Sequence, residues 1–440
     1  MGKVPARLLA TLERAASVAF ALRKKKRALS RRLSKVVHAV LESYRTARRE
    51  RAGHYISASV RFRGMWRNWR DAGLQHLDDK ALIQFCGFPQ KVLLAMEAEM
   101  LKDPDLRALD RASKYWKRSD PSAVPICDVL DVLVLALRHL ATIGYQHQLC
   151  TDMGIPMSKV SVYLARGKRA LFKLLEAHKS ARAGFFESPL LGRAAMAALE
   201  EQHGKCPMEG VSFPFAIDGT VTPVGEPSND QDKLHFWSVS KKIYGINNVL
   251  LVSALGIVHA YRVCLPGCVP DTTAAEPIFT WLFDPQVNQE LFGVLADYGF
   301  AKYCHSLPGI PPVVRPFQPT KEPPIVDPEV AAVVAEFSRW VCSCRQYSEW
   351  VNGSAKRGFP RWTMKADVRF IRDLERDMQL YLMLYNFRVR ECEWSQTRTV
   401  YLEHMRACFE EQGMVYNEKE GCFEPKEPYV GPPEVAEEDL

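Results

Sequence analysis

The spacing of hydrophobic and polar positions along the chain changes near residue 211. Before this point, apolar residues recur every three or four positions, as in "CDVLDVLVLALRHLAT" (127–142), which is the pattern of an amphipathic helix. Between 211 and 305 they form short apolar runs rich in Val, Ile, Phe and Tyr and bounded by Gly, Pro or Asp, which is typical of strands. Helical spacing returns at 328. The sequence therefore predicts an α/β protein.

The apolar runs give a definite order of elements. Strands are predicted at 211–218, 244–255, 256–267 and 291–300, with a helix at 272–283. The proline-rich segment 306–328 is predicted to be a loop. Helices are predicted at 328–355 and 369–391, and two short helices, broken at Gly87-Phe88-Pro89, at 78–101.

The segment 121–180 has the pattern of a helix-turn-helix. It contains an apolar helix, a short helix that ends at Gly154, and a basic third helix with Ser158 as its expected N-cap. In such an arrangement the third helix enters the major groove of DNA. Its basic residues are Lys159, Arg166, Lys168 and Arg169. A helical subdomain that only supports the following domain explains the same pattern.

Charge is distributed unevenly along the 440 residues, although the net charge is only +8. Residues 1–51 hold 15 Lys and Arg against three Glu, whereas 410–440 hold ten acids and two lysines. The run "RKKKRALSRR" (23–32) predicts nuclear localisation or contact with phosphates, and a solvated helix face is the alternative. Its first five residues are Arg23, Lys24, Lys25, Lys26 and Arg27.

Composition also narrows the compartment and the partners. The sequence contains no apolar stretch approaching eighteen uncharged residues, so no membrane span is expected. The twelve cysteines are scattered, and the close pairs lack the two-residue spacing of zinc knuckles. We therefore expect free thiols in a reducing compartment, and no structural zinc.

Three acids stand in comparable places. Asp218 ends the first predicted strand, in "FPFAIDGTVTPV" (213–224), Asp297 ends the fourth, and Glu349 lies on the helix that follows the loop. Three carboxylates brought together repel one another unless cations are present, and oxygen ligands suit Mg²⁺ or Mn²⁺. Two such ions could cleave a phosphodiester bond. The alternatives are a turn residue for Asp297 and a surface charge for Glu349.

Two basic residues follow Glu349 on the same predicted helix. Lys356 and Arg357 could contact the DNA backbone, the lysine as a point charge and the arginine as a bidentate donor.

A phosphatase of the haloacid dehalogenase type also ends a strand with Asp-Gly-Thr. Its nucleophilic Asp would fall at Ala216, and a methyl group cannot replace that carboxylate.

Several segments, in order, resemble the PIF/Harbinger-type transposases and the nucleases derived from them. The likeness covers roughly residues 120–402. The matching segments are "AIDGTVTPV", "FWSVSKKIYGINNVLLVSA", "LPGCVPDTTAAEPIF", "VLADYGFA", "RQYSEWVNGSAKRGF" and "LYNFRVRECEWSQTRTVYL".

The resemblance implies an RNase H-like mixed sheet flanked by helices, with a DDE-type nuclease site. Asp218, Asp297 and Glu349 would be the catalytic residues and the ligands of two Mg²⁺ or Mn²⁺ ions, with Asp271 as an accessory acid. Pro270 stands where the family has His. The family's Asn-Arg-Lys is here Ser240, Lys241 and Lys242, whose two lysines are expected to contact phosphates.

These expectations define a metal-dependent DNA endonuclease or transposase in the nucleus. The alternative is a transposase-derived protein that binds DNA without cutting it. The family implies a separate Myb-like DNA-binding protein as a partner, and other copies of the chain are a further expected partner. The expected domains are a basic arm at 1–59, a helical region at 60–185, the nuclease at 205–402 and an acidic tail at 403–440.

Overall fold

The computed structural model describes ten segments, all within one compact unit formed by residues 65–440. They are 77–103, 128–144, 146–153, 155, 157–208, 210–304, 309–366, 371–392, 414–417 and 422–425. The basic arm, with Arg23, Lys24, Lys25, Lys26 and Arg27, lies outside the described residues, as does most of the acidic tail.

Eleven helices are numbered here in chain order. They are α1 (Asp79–Cys86), α2 (Gln90–Met100), α3 (Val129–Leu140), α4 (Gln146–Met153), α5 (Met157–Ala177), α6 (Pro189–His203), α7 (Asp230–Phe236), α8 (Asp271–Leu282), α9 (Pro328–Cys344), α10 (Gln346–Gly358) and α11 (Ile371–Cys392). Short 3₁₀ turns occur at Lys179–Ala181, Tyr298–Tyr303 and Pro360–Thr363. No helix in the described segments is long and apolar enough to span a membrane.

The strands form one curled mixed sheet and a separate hairpin. They are β1 (Phe215–Pro223), β2 (Trp237–Ser238), β3 (Ile243–Ser253), β4 (Val258–Pro266), β5 (Val294–Leu295), β6 (Val313–Val314), β7 (Met414–Asn417) and β8 (Cys422–Pro425). The main sheet has the order β4-β3-β1-β5-β6, and β2 pairs with the start of β3. β3 is antiparallel to both β1 and β4, whereas β5 and β6 run parallel to β1. The expected mixed sheet flanked by helices is therefore confirmed.

Alternating side chains of β1 divide the core into two layers. Phe215 and Ile217 pack toward α8, and Ala216 belongs to the larger cluster on the opposite face of the sheet. That cluster includes Tyr347 of α10 and Tyr385 of α11. Because successive side chains of a strand point to opposite faces, the sheet is covered by helices on both sides.

The upstream helices surround α3, whose side chains are almost all buried. Asp128 and Asp131 form a reciprocal capping box at its start, with backbone-to-carboxylate distances of 2.8 and 3.0 Å. A helix that is apolar all round belongs inside a core.

At the other end of the domain, Asn386 of α11 accepts a hydrogen bond from Val258 N and donates one to Val258 O, at 2.9 and 2.8 Å. This pair joins the last described helix to the start of β4.

The sequence missed several boundaries. β1 continues to Pro223, so Asp218 lies within the strand instead of at its end. The expected helix at 328–355 is two helices that meet at Arg345, and neither Pro nor Gly marks the junction. The expected strand at 291–300 has only two paired residues. β6 lies inside the segment predicted to be a loop, and the β7–β8 hairpin lies inside the acidic tail.

Candidate active site

The candidate site lies where β1 extends beyond its parallel neighbour β5. The last paired residues of the two strands are Ala216 and Leu295. Asp218 and Asp297 each stand two residues further along, so the period of two residues directs both carboxylates to the same face of the sheet. The two acids predicted from the sequence are thus brought to neighbouring positions.

Asp218 lies in a mostly buried environment. Only 20% of its side chain is exposed. Burial raises the pKa of the Asp218 carboxyl to about 6, opposed by the Arg345 guanidinium and reinforced by the charge of Asp297. Asn352 donates a hydrogen bond from Nδ2 to Asp218 Oδ2 at 2.9 Å, which favours the charged form. Asp218 is therefore a carboxylate that a nearby cation would stabilise.

The other side chains near Asp218 lie on one face of α10, beginning at the residue that precedes the helix. Arg345, Glu349, Asn352 and Lys356 are separated by four, three and four residues, which places them on one face of the helix. α10 packs this face against β1, because Tyr347 and Val351 beside it are buried in the core. A single helix thus delivers both positive and negative groups to the strand that carries Asp218.

Arg345 links two of the predicted acids. Its Nη1 is 3.7 Å from Asp218 Oδ1 and its Nη2 is 3.8 Å from Glu349 Oε1. Glu349 itself is 65% exposed. The sequence predicted that Glu349 would join the other acids directly, but in this structure it is connected to Asp218 through the guanidinium.

Lys356 reaches the same strand. Its ammonium group donates a short hydrogen bond to Thr220 Oγ1. Burial lowers the pKa of Lys356, the charge of Lys241 lowers it further, and the charge of Asp218 opposes this. Lys356 is therefore directed into the site, whereas its neighbour Arg357 is exposed and donates to Gly353 O at 3.3 Å.

Asp271 approaches from the opposite face of β1. It is the first residue of α8 and accepts a hydrogen bond from Asn247 Nδ2 at 2.6 Å. A Cβ atom at Gly219 would lie 2.8 Å from its carboxyl carbon, so the Asp-Gly sequence permits this close approach. Gly299 plays a similar part near Asp297, whose Oδ1 accepts from Gly299 N at 2.8 Å.

The side chains around Asp218 offer oxygen atoms as donors for a divalent ion. Within the described segments, no three acidic, His or Cys side chains come close enough together to hold one ion. The pair Asp218 and Asp297 does supply hard oxygen donors. Asn352 Oδ1 is buried and accepts no hydrogen bond in the described part of the chain, so a further oxygen beside Asp218 lacks a partner. The oxygen atoms around Asp218 are thus of the type that Mg²⁺ and Mn²⁺ prefer, although the described residues bring only two carboxylates together.

The other predicted DNA-binding residues are spread over two regions. Lys241 and Lys242 are exposed in the turn before β3, and Lys242 has a positive φ of 54°. On α5, Lys159, Arg166 and Arg169 are exposed. Lys168 instead forms an ion pair with Asp377 of α11 at 2.6 Å and is only 22% exposed. Lys168 therefore contributes to packing between the two helices.

Sequence reasoning missed three residues that contact the predicted acids. Arg345 and Asn352 contact Asp218, and Asn247 contacts Asp271. Arg345 and Asn352 could have been found from the sequence, because they lie at helical spacing from Glu349, where polar residues recur among apolar ones. Asn247 gave no such signal, because it lies in an apolar run that reads only as a strand.

Comparisons of the chain with protein-family models, with curated proteins and with solved structures found no match.

Proposed function

We propose that the chain is a metal-dependent DNA endonuclease of the transposase type, with an RNase H-like domain over 205–402. The observation that carries the proposal is the placement of Asp218 and Asp297 side by side, beyond the paired ends of β1 and β5. A partly buried carboxylate pair of this kind favours a divalent cation. The strand order β4-β3-β1-β5-β6, in which β3 runs antiparallel to its neighbours and β1, β5 and β6 run parallel, supports the proposed RNase H-like domain.

The chain's own residues have separate roles in this proposal. Asp218 and Asp297 would hold the ion or ions, and Asn352 would orient Asp218 through its hydrogen bond. Lys356 and Lys241 would attract the phosphate backbone of the substrate. A bound divalent ion would supply Lewis acidity for attack of water on the phosphodiester and for departure of the leaving oxygen. A freed 3′-hydroxyl would be the nucleophile for strand transfer.

The upstream helices and the basic arm would hold the DNA. In this proposal α3, α4 and α5 form a helix-turn-helix, whose third helix presents Lys159, Arg166 and Arg169 on its exposed side. The arm at 1–59 would direct the protein to the nucleus and contact phosphates. A Myb-like protein and a second copy of the chain are the proposed partners.

A second candidate is a DNA-binding protein that no longer cuts. It is favoured by one observation: two cations of the chain itself, Arg345 and Lys356, are directed toward Asp218 and partly neutralise it. In that case the sheet would serve as a scaffold. Binding of Mn²⁺ separates the two candidates, because only the nuclease needs a metal site.

The experiment is a nicking assay on DNA that carries terminal repeats, with Mg²⁺ or Mn²⁺ and the full chain. The wild type is expected to nick DNA, and Asp218→Asn and Asp297→Asn are expected to lose this activity. The matched control is Asp230→Asn, since that acid is 98% exposed on α7 and should retain activity. Absence of nicking by the wild type, or equal nicking by the wild type and Asp218→Asn, would contradict the nuclease.

A further inference from the structure

Arg345 lies between two of the three acids predicted to bind metal. Its two terminal nitrogens are 3.7 Å from Asp218 Oδ1 and 3.8 Å from Glu349 Oε1. Both separations exceed a hydrogen bond, so the guanidinium acts on both carboxylates through its charge. Only 17% of the Arg345 side chain is exposed, which limits screening by water and salt.

The backbone of Arg345 is held by hydrogen bonds at a helix junction. Arg345 stands at the junction of α9 and α10, where its N–H donates to Val341 O at 2.9 Å and its carbonyl accepts from Ser348 Oγ at 2.8 Å. Its Nη1 is buried and makes no hydrogen bond to any described residue. The nitrogen that faces Asp218 is therefore not engaged by another acceptor in the described part of the chain.

The space between Asp218 and Glu349 differs in its positive charge from the space between Asp218 and Asp297. The gap between Asp218 and Glu349 already contains the positive charge of Arg345. In the described segments, no lysine or arginine forms an ion pair with Asp297. A divalent ion therefore meets less repulsion between Asp218 and Asp297 than beside Glu349.

We propose that Arg345 replaces one of the two expected divalent ions, so that the site binds a single ion at Asp218 and Asp297. The inference rests on the proposed nuclease function and specifies how its site is charged. Arg345 is then a positioning residue, which holds Glu349 near Asp218 through its positive charge. Glu349 would not be a ligand of the single ion.

The test is a calorimetric titration of the full chain with Mn²⁺. We expect one ion per wild-type chain and one per Arg345→Lys chain, which keeps the positive charge. Arg345→Gln removes the charge and is expected to bind two ions. Removal of a unit charge so close to a ligand oxygen should strengthen total Mn²⁺ binding by roughly tenfold or more. Two ions in the wild type, or one ion in a folded Arg345→Gln chain, would overturn the proposal.

Glu349→Gln gives a second test that does not depend on the folding of Arg345→Gln. Because Glu349 is 65% exposed, this substitution should not disturb the fold. We expect Glu349→Gln to bind one ion with the affinity of the wild type. Loss of an ion or of affinity would assign Glu349 as a ligand and refute the single-ion site.

Asp218→Asn separates failure of this inference from failure of the proposed function. Loss of Mn²⁺ binding in Asp218→Asn supports the metal site on which both proposals depend. If Asp218→Asn binds Mn²⁺ as the wild type does, or the wild type binds none, both proposals fail. If only the number of ions in Arg345→Gln or Glu349→Gln departs from expectation, the nuclease proposal stands and the single-ion site does not.

Discussion

Asn352 donates a hydrogen bond across 2.9 Å to Asp218 and so connects α10 to the central strand of the sheet. The amide holds one carboxylate oxygen, Oδ2, while Arg345 lies nearer to the other, Oδ1. Asn352 is itself only 8% exposed. The orientation of the Asp218 carboxylate is therefore set by the buried amide of Asn352, which does not itself gain or lose a proton.

Replacement of Asn352 by Ala should weaken metal binding more than it weakens the fold. Loss of the hydrogen bond frees the Asp218 carboxylate, and loss of such a supporting group typically lowers metal affinity about 10- to 100-fold. The free energy of unfolding should fall by only about 1 kcal/mol. Mn²⁺ calorimetry and urea denaturation measure the two effects.

The control for Asn352→Ala is Ser354→Ala. Ser354 lies two residues further along α10, which directs it away from the face that carries Asn352. Its substitution should change neither Mn²⁺ affinity nor stability appreciably. If Asn352→Ala binds Mn²⁺ as tightly as Ser354→Ala, the hydrogen bond to Asp218 has no part in metal binding.

Gly219→Ala should destabilise the sheet. The added Cβ would lie 2.8 Å from the carboxyl carbon of Asp271, so the Asp271 side chain must give up its hydrogen bond to Asn247, or β1 or the start of α8 must move. We expect a loss of about 1–3 kcal/mol in the free energy of unfolding. Gly225→Ala is the matched control, because its Cβ would meet nothing closer than 3.9 Å. Equal stability of the two variants in urea denaturation would argue against the tight approach of Asp271.

Stability should fall as the pH is lowered below 6.5. His259 is buried, its Nδ1 donates to Gly184 O at 2.6 Å, and burial lowers its pKa to about 3. Folding therefore favours its neutral form. The contribution of His259 to the free energy of unfolding is fully present above pH 6.5 and is lost as the pH falls toward 3. For this one group the loss at pH 5 relative to pH 7.5 is about 2 kcal/mol.

Urea denaturation at several pH values checks this dependence. His259→Gln retains a side-chain amide in the pocket but cannot be protonated, so its stability should vary less steeply between pH 7.5 and 5. His139, buried on α3 with a pKa lowered to about 2, contributes in the same direction and remains in the variant. An identical slope in the wild type and His259→Gln would exclude His259 as a source of the pH dependence.

Deletion of residues 1–51 should weaken DNA binding and reduce its dependence on salt. This segment carries 15 Lys and Arg against three Glu. Each phosphate contact that is lost should lower the slope of log K against log salt concentration by roughly one unit. Fluorescence anisotropy with a labelled duplex at several salt concentrations measures the slope. A slope that does not change on deletion would exclude the segment as a phosphate contact.

The apolar runs were sufficient to predict the long strands, because buried strands require several consecutive apolar side chains, whereas the mixed sheet was expected only from the family resemblance. They did not predict β6, which is only two residues long and lies among prolines that usually indicate a loop. They also placed Asp218 at the end of β1, since the strand continues through polar Thr220 and Thr222. Those two side chains are buried, and their hydroxyls accept hydrogen bonds from Lys356, Trp362 and Asn248, all of which are distant in sequence.

The structure brings Asp218 and Asp297 to neighbouring positions, but the sequence did not predict the residues that surround them. Asp218 and Asp297 could be chosen because each follows an apolar run, and parallel strands place such residues at one edge. The position of Arg345 between Asp218 and Glu349 could not be predicted, because it depends on a break between α9 and α10 that Pro or Gly does not mark. The surroundings of an acid depend on tertiary packing, which short sequence patterns do not record.

The brevity of the pairing between β1 and β5 has a consequence for motion at the site. β1 and β3 are joined along nine residue pairs, whereas β1 and β5 share two. Amide hydrogens of β3 should therefore exchange with solvent only on global unfolding, while those near Leu295 exchange through local opening. We expect Asp297 to separate from Asp218 through the same local opening, without unfolding of the whole domain. The distance between the two acids then varies with time. Bound metal or DNA would reduce this variation by stabilising the arrangement in which the two acids lie close together.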